Sequence, residues 1–318
     1  MNQRSVGVIR LIGTALLLVG VVSALLGPAE THVFYWFEEG GRFHYEGVGF
    51  GSLMFANIAI QIVGYYVIAL LCIPLGYGHV KLRWWAPAIM TTLLIVWLIV
   101  GLPLSLMALM ILVTSKNMSL ASLPFVAIVF ILLYPVLPIV LLRFYRSPSS
   151  RHAFRTAESS PNWLSETPES VKVAVSLMVL LALVLHFPLL VGGVFPLFGH
   201  VVYGLAGTVL LDLAIAVTVV LIWGVVQRYR WSWWGTVVFL GLITLASAAT
   251  FLTIPPHDIV ARMPLAPLEM EALSEIPMRG YQVALFVGVI PTAALVMLAV
   301  SRRSVIGPGA RAGARLGS

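Results

Sequence analysis

Eight apolar runs, each near the length of a membrane-crossing helix, decide what this 318-residue chain can fold into. They lie at about Leu11–Leu26, Phe50–Ile73, Ala86–Leu112, Leu123–Leu142, Val171–Gly192, Val201–Val225, Gly235–Leu252 and Gln282–Val300. Roughly 20 residues of α-helix cross about 30 Å of hydrocarbon. Within that layer a backbone must satisfy its own N–H and C=O groups, which a helix does internally. Composition agrees: 60% of residues are hydrophobic, 10% are charged and mean hydropathy is +1.01, outside the range of soluble domains. The expected fold is therefore all-α, a polytopic bundle of about eight transmembrane helices.

The longest polar interruption, residues 143–170, divides the runs four and four. The expected organisation is a first membrane half at 1–142, a linker loop at 143–170, a second half at 171–300 and a basic, disordered tail at 301–318. Cytoplasmic loops of membrane proteins collect Lys and Arg. With both termini inside, all but Arg42, Lys116, Arg262 and Arg279 of the 19 basic residues fall on inner segments. The outer loops then hold Glu38, Glu39, Glu46 and Asp258 among their acids. This places the chain in a membrane, read as the plasma (inner) membrane, with both ends cytoplasmic. The pI near 9.8 is explained by topology, since the charges are spread and no nucleic-acid motif accompanies them. The bilayer is the expected partner, and nucleic acid is not. The first run is read as a retained span, because no small-x-small cleavage site precedes Gly27 and Pro28.

Three local expectations follow. Gly40-Gly41 between aromatic residues predicts a β-hairpin over about Phe34–Tyr45, with Glu39 facing Arg42 and Phe37 facing His44. Leu265, Leu268, Ala272, Leu273 and Ile276 predict a short amphipathic surface helix. Finally, the turn KLRWWAP at Lys81–Pro87 is echoed by RWSWWGT at Arg230–Thr236, each just before an odd-numbered span. Trp84 and Trp85 would then match Trp233 and Trp234 in a parallel four-plus-four internal repeat.

Chemistry needs groups that ionise, donate or coordinate. Within the runs, apart from Lys172 at the inner boundary of the fifth, His186 and Asp212 are the only ionisable residues other than tyrosines and Cys72. His186 lies 14 residues beyond Lys172 and Asp212 16 before Arg228. At 1.5 Å per residue they sit about 21 and 24 Å from the inner boundary, nearly level, and form the candidate intramembrane polar pair. Asn57 and Gln61, four residues apart, share one helix face and are expected to hydrogen-bond across helices. His32, His44, His200 and His257 form a weaker outer-face cluster beside acids, without the spacing of a metal motif. The lone Cys72 excludes an internal disulfide and any cysteine-based metal site. No catalytic motif, bis-His pair, phosphate loop or in-span retinal lysine is present, so no catalytic residue, cofactor or metal is assigned.

Three functions fit. The first is a transporter- or channel-like bundle with a polar centre at His186 and Asp212. The alternative is a non-conducting structural, assembly or sensory membrane component. A membrane enzyme or metal-binding protein using the outer His and Glu groups comes third, its catalytic signature missing.

Overall fold

The computed structural model describes residues 3–38, 40–43, 52–114, 123–157, 164, 167–263, 265, 269–270, 273 and 278–302. Eight of its helices are long and apolar enough to cross a membrane, as expected. In chain order these are α1 (Gln3–Phe37), α2 (Leu53–Val80), α3 (Ala86–Thr114) and a fourth span. The fourth is built from α4 (Leu123–Ile131), a π turn over Leu132–Val136 and α5 (Leu137–Arg146). After α6 (Pro148–Ala157) come α7 (Glu169–Val184) with the short α8 (His186–Leu190), then α9 (Gly204–Val226), α10 (Arg230–Thr253), α11 (Pro256–Val260) and α12 (Gly280–Val300). The π turn contains Pro135, whose missing N–H takes one bond out of the i→i−4 ladder. Two compact units result: residues 1–94 with 138–166, and residues 95–137 with 167–318.

In the first unit α1 and α2 pack along a heptad seam. Val6, Ile9, Gly13, Gly20, Ser23 and Gly27 are buried, at the 3.5-residue alternation of a left-handed helix pair. The glycines permit contact between backbones: a Cβ at Gly13 would lie 2.9 Å from the Gly76 carbonyl oxygen, and one at Gly20 2.9 Å from the Ile73 nitrogen. Gly13, Gly20 and Gly27 recur every seven residues along this seam.

The second unit has a core of Val173, Leu177, Leu181, Leu221, Leu240 and Ala294, drawn from α7, α9, α10 and α12. Ile95 and Ile99 of α3 pack on it. A second cluster joins Val171, Ala174, Val225, Trp233 and Leu298 near the basic ends of these helices.

Two helix boundaries differ from expectation. The first helix does not stop at Leu26: it continues through Pro28 to Phe37, so Phe34–Phe37 are helical and the hairpin expected there is corrected. The aromatic run supports the extension by packing, with Phe34 edge-on to Phe55 of α2 at 5.5 Å and His32 against Trp36 at 4.7 Å. The expected turn partners Glu39, His44 and Tyr45 lie outside the described residues. The second helix continues past Ile73 and Pro74 to Val80, taking in GYGHV, which reads as loop by composition.

A β-hairpin does form, at a place the sequence did not mark. Strands β1 (Phe195–Leu197) and β2 (His200–Val202) pair antiparallel, with Leu197 opposite His200. The two-residue turn is Phe198-Gly199 at φ 43° and 84°, both positive as a type I′ turn requires. The expected amphipathic helix at 265–276 falls largely outside the described residues.

Candidate functional site

The polar groups at membrane depth divide into those turned inward and those turned outward. Inside, the hydroxyls return to their own helices. Thr218 donates to the Ala214 carbonyl at 2.7 Å, Thr236 to Ser232 at 2.7 Å and Thr250 to Ala246 at 2.8 Å. Such bonds satisfy a buried hydroxyl without a partner helix.

His79, near the end of α2, is fully buried, and it is the polar node that sequence reasoning missed. Its Nδ1 lies 2.6 Å from the Leu75 carbonyl, which can only accept, so Nδ1 carries a proton. Its Nε2 then accepts from the Tyr145 hydroxyl at 2.7 Å. The rings of Tyr145 and Phe154 stand edge-on to the imidazole at 5.5 and 5.8 Å. Both ring nitrogens are satisfied in one neutral tautomer, and aromatic carbon seals them. The arrangement ties the end of α5 to the end of α2. A signal was present, since a His at one span end and a Tyr at another both occupy the basic side. Reading GYGHVKLRWW as a turn hid it.

The outward groups are those the sequence singled out. Asn57 and Gln61 are exposed on α2 and bond to each other, Gln61 Nε2 donating to Asn57 Oδ1 at 2.8 Å. The bond runs along one helix and not, as expected, across to another. Asp212 is exposed on α9, and His186, opening α8, is exposed as well. His186 Nδ1 lies 2.7 Å from the Ala182 carbonyl, to which it donates, and Nε2 has no hydrogen-bond partner among the described residues. No hydrogen bond or ion pair joins His186 to Asp212 among the described residues. Around Asp212 the exposed face of α9 is apolar: Leu205, Val209, Leu213, Val220 and Trp223.

Of the outer histidines, His32 packs on Trp36, and His200 is an exposed strand residue. His257 forms an exposed contact of 3.1 Å with Asp258 next to it. His44 lies outside the described residues. Among the described residues no three His, Cys, Asp or Glu side chains are grouped to hold a metal ion. At the same end of the second unit, the Thr250 hydroxyl accepts from the Gly199 N–H at 3.1 Å, holding the hairpin to α10. Tyr203 donates to the Ile259 carbonyl at 3.3 Å. Burial raises the Tyr203 phenol above its usual value, and the nearby Arg262 opposes that rise.

The corners that close α2 and α9 are built alike. In each, the sixth residue's N–H returns to the first carbonyl and the fifth's to the second: Arg83 to Gly78 at 2.7 Å with Leu82 to His79 at 3.2 Å, and Tyr229 to Gly224 at 3.0 Å with Arg228 to Val225 at 3.0 Å. This is the Schellman pattern. Leu82 and Arg228 occupy the left-handed position at φ 53° and 58°. The indole ends of Trp85 and Trp231 cover Gly78 and Gly224, with Ala86 and Ser232 alongside. The local equivalence thus pairs Trp85 with Trp231, three residues out of register with the pairing suggested by the sequence echo.

Comparison with protein-family models, with curated proteins and with solved structures finds no match.

Proposed function

We propose that this multi-pass membrane protein is a non-conducting assembly component, a scaffold that recruits transmembrane helices through polar groups on its outer surface. Of the three readings open to the sequence, the outward placement of polar groups favours this one. The observation that carries it is Asp212, an acid within a span, exposed on a face otherwise made of Leu, Val and Trp. A carboxyl group facing lipid costs several kcal/mol, whereas against a donor on another helix it becomes an attachment point. The Asn57–Gln61 pair offers a milder second attachment point, since each amide keeps unused donors and acceptors. The buried hydroxyls, bonded to their own carbonyls, offer a translocated ion few free ligands.

Native electrophoresis of the tagged chain extracted from native membranes in mild detergent, beside proton-flux assays in reconstituted vesicles, tests the proposal. The expected result is a stable assembly that Asp212→Leu dissociates without lowering thermal stability, and no flux dependent on Asp212. A chain that stays solitary, or proton flux lost in Asp212→Asn, overturns it in favour of transport.

A further inference from the structure

Resting on the assembly reading, we infer that the occupant of the Asp212 face is a second copy of this chain, with His186 of each copy set against Asp212 of the other. Three observations converge. First, the two side chains are chemically complementary and both exposed, yet no polar contact joins them within the chain. With Nδ1–H held by the Ala182 carbonyl, the open position of His186 is Nε2. That nitrogen accepts from a protonated Asp212 or, once protonated itself, donates to the carboxylate. One shared proton therefore satisfies both partners in either form.

Second, residue spacing puts the groups at similar depth: counted at about 1.5 Å per residue from Lys172 and Arg228, His186, just past the break at Leu185, and Asp212 come about 21 and 24 Å from the basic ends. Two copies inserted in the same orientation are related by an axis along the membrane normal, which preserves depth. In such an isologous interface residue i of one copy meets residue j of the other, and j meets i. Complementary groups at similar depth, exposed on the contacting elements α8 and α9, meet that requirement and give the polar contact twice per dimer.

Third, the surroundings suit a helix partner. Leu205, Val209 and Leu213 flank Asp212 on α9, and Val179, Leu183 and Phe187 are exposed around His186 on α7 and α8. These elements are neighbours, since α8 and α9 contact each other. Apolar side chains then exclude lipid from the polar contacts and supply the packing on which membrane helices depend.

The test uses the full-length chain with Cys72→Ala, which removes the one native thiol. His186→Cys on a chain with one tag is co-expressed with Asp212→Cys on a chain with another, and the membranes are treated with a short, membrane-permeant bifunctional thiol reagent. Because each chain carries one cysteine, any cross-link is between copies. A short bridge spans a histidine and an aspartate in side-chain hydrogen-bond contact, whose Cα atoms lie farther apart than the roughly 4.4–6.8 Å a direct disulfide allows. The expected product is a heterodimer carrying both tags, absent when Leu245→Cys, on an exposed face of α10, replaces either partner. Purified wild type in vesicles at low protein density should bleach in two steps, and Asp212→Leu in one, with unchanged melting temperature. Absence of the cross-link, or a dimer that persists in Asp212→Leu, overturns the inference. A purified chain that bleaches in one step, although Asp212→Leu dissociates assemblies extracted from native membranes, overturns the homodimer and leaves the assembly reading standing. A solitary chain in both settings removes both.

Discussion

The corner after α2 and the corner after α9 share a backbone and differ in what secures them. Each is a Schellman turn with a non-glycine residue in the left-handed position and a tryptophan over the first glycine. Each is also tied to a later span end by one buried hydrogen bond closing a loop of similar length. His79 reaches Tyr145 across 66 positions, and Trp233 Nε1 donates to the Leu298 carbonyl, at 3.2 Å, across 65. In the first corner both partners are side chains that depend on each other. In the second, the carbonyl also accepts from the Ser301 hydroxyl at 3.0 Å. Equivalent backbones can thus be held by bonds of unequal consequence, because what matters is whether a buried group is left unsatisfied when its partner goes.

That comparison can be broken at the glycines, where the largest effect is expected. Gly78→Val and Gly224→Val place carbon where Ala86 Cβ lies 2.9 Å away and Ser232 Cβ 2.5 Å away. Overpacking of this kind costs on the order of 3 kcal/mol, and similar losses in detergent thermal unfolding are expected for the two. A loss at only one would end their equivalence.

The fastenings sharpen it. Tyr145→Phe strands the Nε2 of a fully buried imidazole and should cost about 1–3 kcal/mol, whereas Trp233→Phe leaves the Leu298 carbonyl its Ser301 partner and should cost about 1 kcal/mol or less. Adding His79→Leu to Tyr145→Phe should recover part of the first loss, because two apolar side chains leave no orphan. Equal costs for Tyr145→Phe and Trp233→Phe would refute the asymmetry.

The smallest effect is at the left-handed position. Arg228→Gly relieves strain of roughly 1 kcal/mol, less the entropic cost of glycine, and should raise the melting temperature slightly. Leu82→Gly also removes a buried side chain and should lower it. A gain in both would mean that Leu82 contributes no packing.

Much of the candidate site could be named from the sequence, but its facing could not. His186, Asp212, Asn57 and Gln61 stand out because polar residues are rare inside apolar runs. Nothing in the runs indicated that all four are exposed. The same limit hid His79, whose isolation inside aromatic carbon depends on α5 and α6 returning to the end of α2. The Gly-Gly pair does lie in a turn, with the Phe43 N–H returning to the Trp36 carbonyl at 2.9 Å, but the expected first strand is the end of α1, while Phe198-Gly199 turns between true strands, with Thr250 of α10 holding its turn.

The sequence alone determined the eight spans, since transfer of a helix into hydrocarbon sums over some 20 neighbouring residues and needs no knowledge of the rest of the chain. It did not determine which side of each span meets protein. In a soluble helix an apolar stripe marks the buried face, but these helices are apolar all round, so no periodicity separates a face toward lipid from one toward a neighbour. Only the tertiary structure decided that. Gly13, Gly20 and Gly27 let α1 and α2 approach, the Tyr145 hydroxyl closed over His79, and Asp212 was left on the outside.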